Sequence, residues 1–483
     1  MNNKTGIKNM PLPTSPAFHH ESVGISNLDG RLWDEVGFDT GRHFSDIALI
    51  RGRVAVEAQY IIHLSKAGVI RKLSAKEVKT LSGLHEKIDL KAYKRFRAIE
   101  SKARHDVISM TKLMQELLAK NKGLADIVSH GWVHWGLASE DVDNIARSLL
   151  IKNFLENVYL PTSAKLLTSL ANLAKKTRSD IIPGKTHLQT AVPTSLGKEI
   201  ALFGERLGEK LLKIKKSKLR AKLTGATGNL SPHKLVYPKV NWIKFSKNFV
   251  SSLGLEPNVY TTQVEPKNNL VELFSDLAAI NSILIDLSQD MRIYIGFDWL
   301  SQVANKSEFG SSAMPQKVNP IDFENAHGNA LMASWILEGL IRHLPTSWLQ
   351  RDLSDKTIQR NLGLPFGYSL ITLLSTQKGI ERVSPNREVV KATLNNDWGI
   401  IAEGVQTYLR AQGLGDAYDK AKEFFRGRRI SKDQYLTWVE NAGLTPKDKK
   451  VLEKLSPANY TGYSERNCQQ MVSRIQSVSK KLQ

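Results

Sequence analysis

No proline interrupts the chain between Pro266 and Pro315, and that stretch constrains the fold more than any other feature. Proline blocks a helix by removing an amide donor and clashing with the preceding turn. Its absence permits one long helix. Within the stretch Leu273, Leu277, Ile280, Leu284, Leu287, Met291 and Ile295 step by 4, 3, 4, 3, 4 and 4 residues, laying one apolar stripe along a helix over 268–300. Segment 194–217 steps similarly through Leu196, Ile200, Phe203, Leu207, Leu211 and Ile214. Segment 142–178 carries Leu160, Ser163, Leu167, Leu170 and Ala174 past Pro161, where a kink is expected. Segments 321–343 and 357–382 complete five long helices. Such lengths exceed the usual ~11–12 residues, so the stripes need partners: a helical bundle, and association of bundles, is the economical solution. Strand-like alternation is nearly absent, so the fold is read as all-α.

Around this bundle the 483 residues divide into a flexible arm at 1–24, a helical domain at 25–125, the bundle domain at 126–384 and a second helical domain at 385–483. Hydrophobic residues at 41% exclude wholesale disorder. No apolar run reaches the ~18 residues of a membrane span, and the first 24 residues lack the apolar stretch of a signal peptide. A single cysteine, Cys468, leaves no intrachain disulfide or cysteine-built metal site. A cytoplasmic location is expected. The formal charge is +21, but Lys and Arg are scattered, and no zinc-finger, RRM-like or Arg/Gly-rich segment accompanies them. A concentrated site for a small anion fits better than nucleic acid.

Chemistry concentrates in Gly310-Ser311-Ser312-Ala313-Met314-Pro315-Gln316-Lys317-Val318-Asn319-Pro320, followed by Glu324 and Asn325. A Gly-Ser-Ser loop offers backbone N–H groups and a hydroxyl to an anion. Lys317 and Asn319 add a cation and an amide suited to a carboxylate gaining charge in a transition state. Gly-Ser-Ser alone would pass for an ordinary polar loop; the full string is far more specific.

That string resembles the signature loop of the fumarase/aspartase superfamily, and its continuation through Asn325 resembles the adenylosuccinate lyase branch. Ser139-Glu140-Asp141 with Asn144, Lys185-Thr186-His187-Leu188-Gln189, Tyr260 to Pro266, Gln350 to Asp355, Arg360 to Gly363, Asp29-Gly30-Arg31, His105-Asp106-Val107 and Pro457 to Tyr460 agree with the same branch. The resemblance runs in order from about residue 23 to the C-terminus. It implies a three-domain all-α fold whose central five-helix bundle forms a tetrameric helical core, with sites built from several subunits and no metal or organic cofactor. It implies release of fumarate from adenylosuccinate to give AMP, and from the succinylated aminoimidazole-carboxamide ribonucleotide.

By the same resemblance Ser311 is the base, His187 the general acid for the leaving nitrogen, and Glu324 the group that orients and charges His187. Lys317 and Asn319 hold the carboxylate that receives the carbanion's charge. Arg31, Arg351 and Arg360 hold the phosphate, and His105 helps hold an anionic part of the substrate. Asp106, Ser139, Lys185, Thr186, Gln263, Asn325 and Lys356 complete the binding set. Taken alone, Glu324 could be a first-turn helix acid, His105 a packing residue, and Arg351 and Arg360 surface salt-bridging groups.

The departures fall among the binding residues. Leu32 stands where tyrosine is usual, Arg104 for asparagine, Ala138 for threonine, Lys185 for arginine, Leu188 for glycine, Lys267-Asn268 for His-Asp, and Lys356 for a small hydroxyl residue. Three readings stay open: Lys356 and Arg104 replace directed hydrogen bonds by charge, the enzyme is a sister lyase with another N-succinyl substrate, or the chain is a binding protein that has kept the fold and lost turnover.

Overall fold

The computed structural model describes residues 30, 33–303 and 314–483. The arm at 1–24, Arg31, Leu32 and Ser311 with its Gly-Ser-Ser loop lie outside the described residues. The protein is predominantly helical, with three two-stranded sheets among the described residues. Two compact units emerge. The first comprises Met1–Pro161, Lys213–Ala279 and Met332–Ile371; the second comprises Thr162–Leu212, Ile280–Leu331 and Thr372–Gln483.

The long helices follow the apolar stripes closely. They span Leu196–Lys216, Asn268–Gly296, Ile321–His343 and Gly363–Glu381. Leu273, Leu277, Ile280, Leu284, Leu287 and Met291 are all buried, as are Leu196, Ile200, Phe203, Leu207, Leu211 and Ile214. Only Ile295, at the end of its stripe, is partly open. The expectation at 268–300 ran too far: the helix stops at Gly296, Asp298 turns left-handed, and Leu300–Gln302 becomes a strand against Val383–Pro385. Likewise 357–382 is two helices, Ser354–Gln359 and Gly363–Glu381. At Pro161 the structure has a π-helical turn, Leu155–Tyr159, in which the Leu160 N–H donates to the Leu155 carbonyl, five residues back. The wider turn relieves the clash between a proline ring and the carbonyl four residues before it.

In the first unit the helix Asp46–Lys66 packs along Ser139–Phe154, close enough that a Cβ on Gly52 would lie 3.3 Å from Ala146 Cβ. The helices Leu90–Ala103 and Asp106–Ala119 pack on each other and are joined by Arg104 in the left-handed region and by His105. Phe44, Phe154 and Phe366 form a ring cluster, with Phe44 stacked on Phe366 at 4.8 Å. In the second unit Ile181–Thr186 and Gln189–Ser195 form an antiparallel hairpin that leads directly into Leu196–Lys216. Gly197 is required there, because a Cβ would strike the Ala174 carbonyl oxygen. A separate apolar cluster, centred on Trp398, Ile401, Tyr435 and Leu452, organises the C-terminal helices.

Candidate active site

The first unit contains a cavity of about 450 Å³ with Arg53, Arg147, Lys356, Arg360 and Asp106 in its wall. Arg53 is buried in Asp46–Lys66, where an apolar surface would be expected; a bare guanidinium there would be costly. Two carboxylates compensate. Arg53 Nε donates to Asp143 Oδ1 at 2.5 Å, and Nη2 to Asp106 Oδ2 at 2.7 Å. Lys356 Nζ completes the quartet, 2.7 Å from Asp106 Oδ1 and 3.3 Å from Asp143 Oδ2. Burial would raise the Asp106 carboxyl, but Arg53 and Lys356 outweigh it and hold it well below the usual carboxylate range. Asp143 is lowered too, its burial overcome by Arg53, Arg147 and Lys356. The Lys356 charge is therefore matched inside the protein. Burial also pushes His43, at the cavity edge, down to about 4, so its ring is neutral at pH 7.

A second buried set lies in the same unit. Lys267, in the left-handed region, places Nζ 2.5 Å from Asp355 and 3.8 Å from Glu140, and Arg351 reaches Glu140 at 3.2 Å and Asp355 at 3.5 Å. Arg351 thus sits in an internal network and is not part of the cavity wall formed by Arg360 and Lys356. Beside it Asp141 pairs with the fully buried Lys222 at 2.8 Å and accepts from the backbone N–H groups of Ala138, Thr224 and Gly225. Asn144 exchanges hydrogen bonds with both backbone groups of Lys222. These contacts anchor the first turn of Ser139–Phe154 and so place Ser139. His105 caps the helix Asp106–Ala119, its Nδ1 accepting from the Ile108 N–H at 3.3 Å, with a side chain 42% exposed. Gln263 donates its amide to the Ala226 carbonyl at 3.0 Å.

The second unit carries the rest. Thr186 pairs with Gln189, so His187 and Leu188 are the two turn residues of the hairpin, with φ of 53° and 60°. Both central residues left-handed is the type I′ geometry that matches the twist of the flanking strands. It exposes His187 at the tip. Lys185 donates to Thr190 Oγ1 at 2.8 Å and lies 5.6 Å from the Phe297 ring centroid. Lys317 is exposed after a turn in which its N–H meets the Met314 carbonyl, and the half-buried Asn319 precedes Ile321–His343. Glu324 lies in the first turn of that helix, 3.4 Å from Arg292, and among the described residues no hydrogen bond joins it to His187. Asn325 donates to Ser375 Oγ at 2.9 Å.

The sequence reading missed the hairpin, because His-Leu is not an Asn-Gly-type turn signal. It also missed Arg53, Asp143 and Arg147. One signal was available: Arg53 directly precedes, and Glu57 interrupts, a mostly apolar run from Val54 to Ile62, and charges buried in a helix need partners.

A family model described as lyase matches residues 37–333, and one described as adenylosuccinate lyase C-terminal matches residues 347–461. The protein is 35% identical over 443 residues to the adenylosuccinate lyase of Escherichia coli K12, covering 91% of this chain and 96% of the relative. The chain belongs to the adenylosuccinate lyase family. The family member from Dictyostelium discoideum is also 35% identical, over 451 residues. Among solved structures, the 3-carboxy-cis,cis-muconate lactonizing enzyme of Pseudomonas putida matches with a TM-score of 0.73 at 20% identity, covering 93% of this lyase and 100% of that chain. The fumarate lyase of Mesorhizobium sp. BNC1 matches with a TM-score of 0.72 at 16% identity, covering 90% and 97%. At these identities the structural likeness speaks for the helical-bundle fold of the lyase. Membership in the family rests on the sequence matches.

Proposed function

We propose that the protein eliminates fumarate from adenylosuccinate, giving AMP, and acts likewise on the succinylated aminoimidazole-carboxamide ribonucleotide in purine nucleotide biosynthesis. The observation that carries this reading is the end-to-end match to adenylosuccinate lyases, 91% of this chain against 96% of the relative. Ser311 removes a proton from the carbon next to one carboxylate. The electron pair flows toward that carboxylate, where Lys317, Asn319 and the loop N–H groups hold the charge. The bond from the neighbouring carbon to nitrogen then breaks, and His187 delivers a proton to the departing nitrogen. Glu324 orients and charges His187. Arg31, Arg351, Arg360, His105, Asp106, Ser139, Lys185, Thr186, Gln263, Asn325 and Lys356 form the binding set.

In one chain Glu324 meets Arg292 rather than His187. We therefore assign the pairing of His187 and Glu324 to different copies within a cytoplasmic homotetramer. Apolar side chains left exposed on the long helices, Leu202, Ile293, Met332 and Trp335, support the association. The experiment is an absorbance assay of fumarate release from adenylosuccinate by the purified protein, alongside light scattering. No fumarate release refutes the activity, and a stable monomer of 54.1 kDa refutes the assembly. Leu188, 67% exposed beside His187, favours one second reading, a different N-succinyl leaving group. Testing further succinylated substrates in the same assay addresses it.

A further inference from the structure

Arg53, Arg97, Arg147, Lys356 and Arg360 all line the cavity of the first unit. Three of these cations are matched by carboxylates. Arg53 and Lys356 share Asp106 and Asp143, and Arg97 pairs with Glu100 at 2.5 Å. Among the described residues, Arg147 and Arg360 have no carboxylate within 4.0 Å. Arg147 stands one helical turn after Asp143, a spacing that ordinarily pairs the two. Here Arg53 and Lys356 already occupy the Asp143 carboxylate, and Arg147 Nη1 instead donates to the Gln359 carbonyl at 3.2 Å. That bond ties it to the segment carrying Arg360. Burial lowers the Arg147 guanidinium while Asp143 opposes the shift, so the charge is retained at a cost that an anion would offset.

Two unmatched guanidinium groups suit a group bearing close to two negative charges, and their planar forks match phosphate oxygens. We propose that Arg147 is a ligand of the substrate's phosphate, acting beside Arg360, and that Lys356 keeps Arg147 available by occupying Asp143. This rests on the reading of the substrate as a nucleotide. It also gives the Lys356 departure a role: a small hydroxyl there would free Asp143 to capture Arg147.

The test compares AMP with adenosine, which lacks the phosphate, as inhibitors of fumarate release by the full-length protein and as ligands in calorimetry. Arg147→Gln should weaken AMP about tenfold or more, leave adenosine within about twofold, and raise the KM for adenylosuccinate more than it lowers kcat. Arg147→Lys should recover part of the loss. Lys356→Ser should weaken AMP in the same direction, and the double variant should be little worse than the worse single one, because both act through one guanidinium. An unchanged AMP-to-adenosine ratio in Arg147→Gln overturns the proposal. If Arg147→Gln does not fold, the same ratio in Arg147→Lys and Lys356→Ser decides. A parent protein that releases no fumarate refutes the lyase reading alone, since the calorimetric ratio still reports on Arg147.

Discussion

The cavity of the first unit and the hairpin and loop of the second hold their charges in opposite ways. Around the cavity Arg53, Asp106, Asp143 and Lys356 interlock within one chain, each contact at 2.5 to 3.3 Å. In the second unit His187, Lys317 and Glu324 are exposed, and the carboxylate proposed to charge His187 is engaged by Arg292 at 3.4 Å. A preorganised network resists change and is expensive to break. Displayed groups cost little to replace, so their loss should appear in rate and leave stability nearly intact.

The widest separation between the two regions should come from paired substitutions. His187→Ala and Ser311→Ala are each expected to lower kcat by about 10²–10⁴-fold, with helical circular dichroism and melting unchanged. A residual rate above about a tenth of the parent's would remove the catalytic assignment. Arg53→Met should do the reverse, costing about 3–5 kcal/mol of stability by leaving the buried Asp143 and the half-buried Asp106 to share Lys356. Denaturant titration reads this directly, and a loss under about 1 kcal/mol would show that the quartet is not interlocked.

Acid and base should also divide the two units. Asp106 and Asp143 are held below the ordinary carboxylate value of ~3.9. The unfolded chain therefore binds more protons, and their contribution is complete above about pH 5 and lost as pH falls through and below 4. Asp290, in the second unit, is pushed up to about 6 by burial and by Asp286 and Glu199. Its contribution has the opposite sign, favouring the fold when protonated and fading as pH rises from about 4 through 6. Asp106→Asn should flatten the acid limb of a melting-temperature profile. Asp290→Asn should raise the melting temperature at pH 8 and leave it unchanged at pH 4. Parallel profiles for both variants would contradict this division.

The smallest effect concerns backbone strain at the hairpin tip. A non-glycine residue in the left-handed region costs roughly 1–2 kcal/mol. Leu188→Gly should thus stabilise the protein by about 1 kcal/mol in denaturant titration. Arg104→Asn, at the junction of two first-unit helices, should gain less, because asparagine tolerates this region only in part. A destabilised Leu188→Gly would mean that the leucine side chain makes up for the strain through contacts of its own.

Helix existence was legible because burial of a stripe is a local, periodic demand. Thirteen positions named on two stripes come out buried but for Ile295. The endings were less legible, since Asp298 and the pairing of Leu300 with Pro385 depend on a strand some eighty residues away. The site divides similarly. The motif string identified His187, Lys317, Asn319 and Glu324 as a set, and the family matches agree with the lyase chemistry it implied. It gave no hint that His187 and Leu188 close a type I′ turn, because the register of the strands, rather than the local sequence, imposes that conformation.

By itself the sequence determined the helical class, the position of the long helices and the family, because apolar spacing and an ordered motif string are properties of the chain read in one dimension. Tertiary structure alone decided which charges answer one another. Arg53, Asp106, Asp143, Arg147 and Lys356 come from four separate stretches of chain, and a Coulomb interaction depends on distance in space rather than in sequence. Only when folding set Lys356 against Asp106 and Asp143 did it become a matched internal charge, leaving Arg147 and Arg360 at the cavity wall with no carboxylate within 4.0 Å among the described residues.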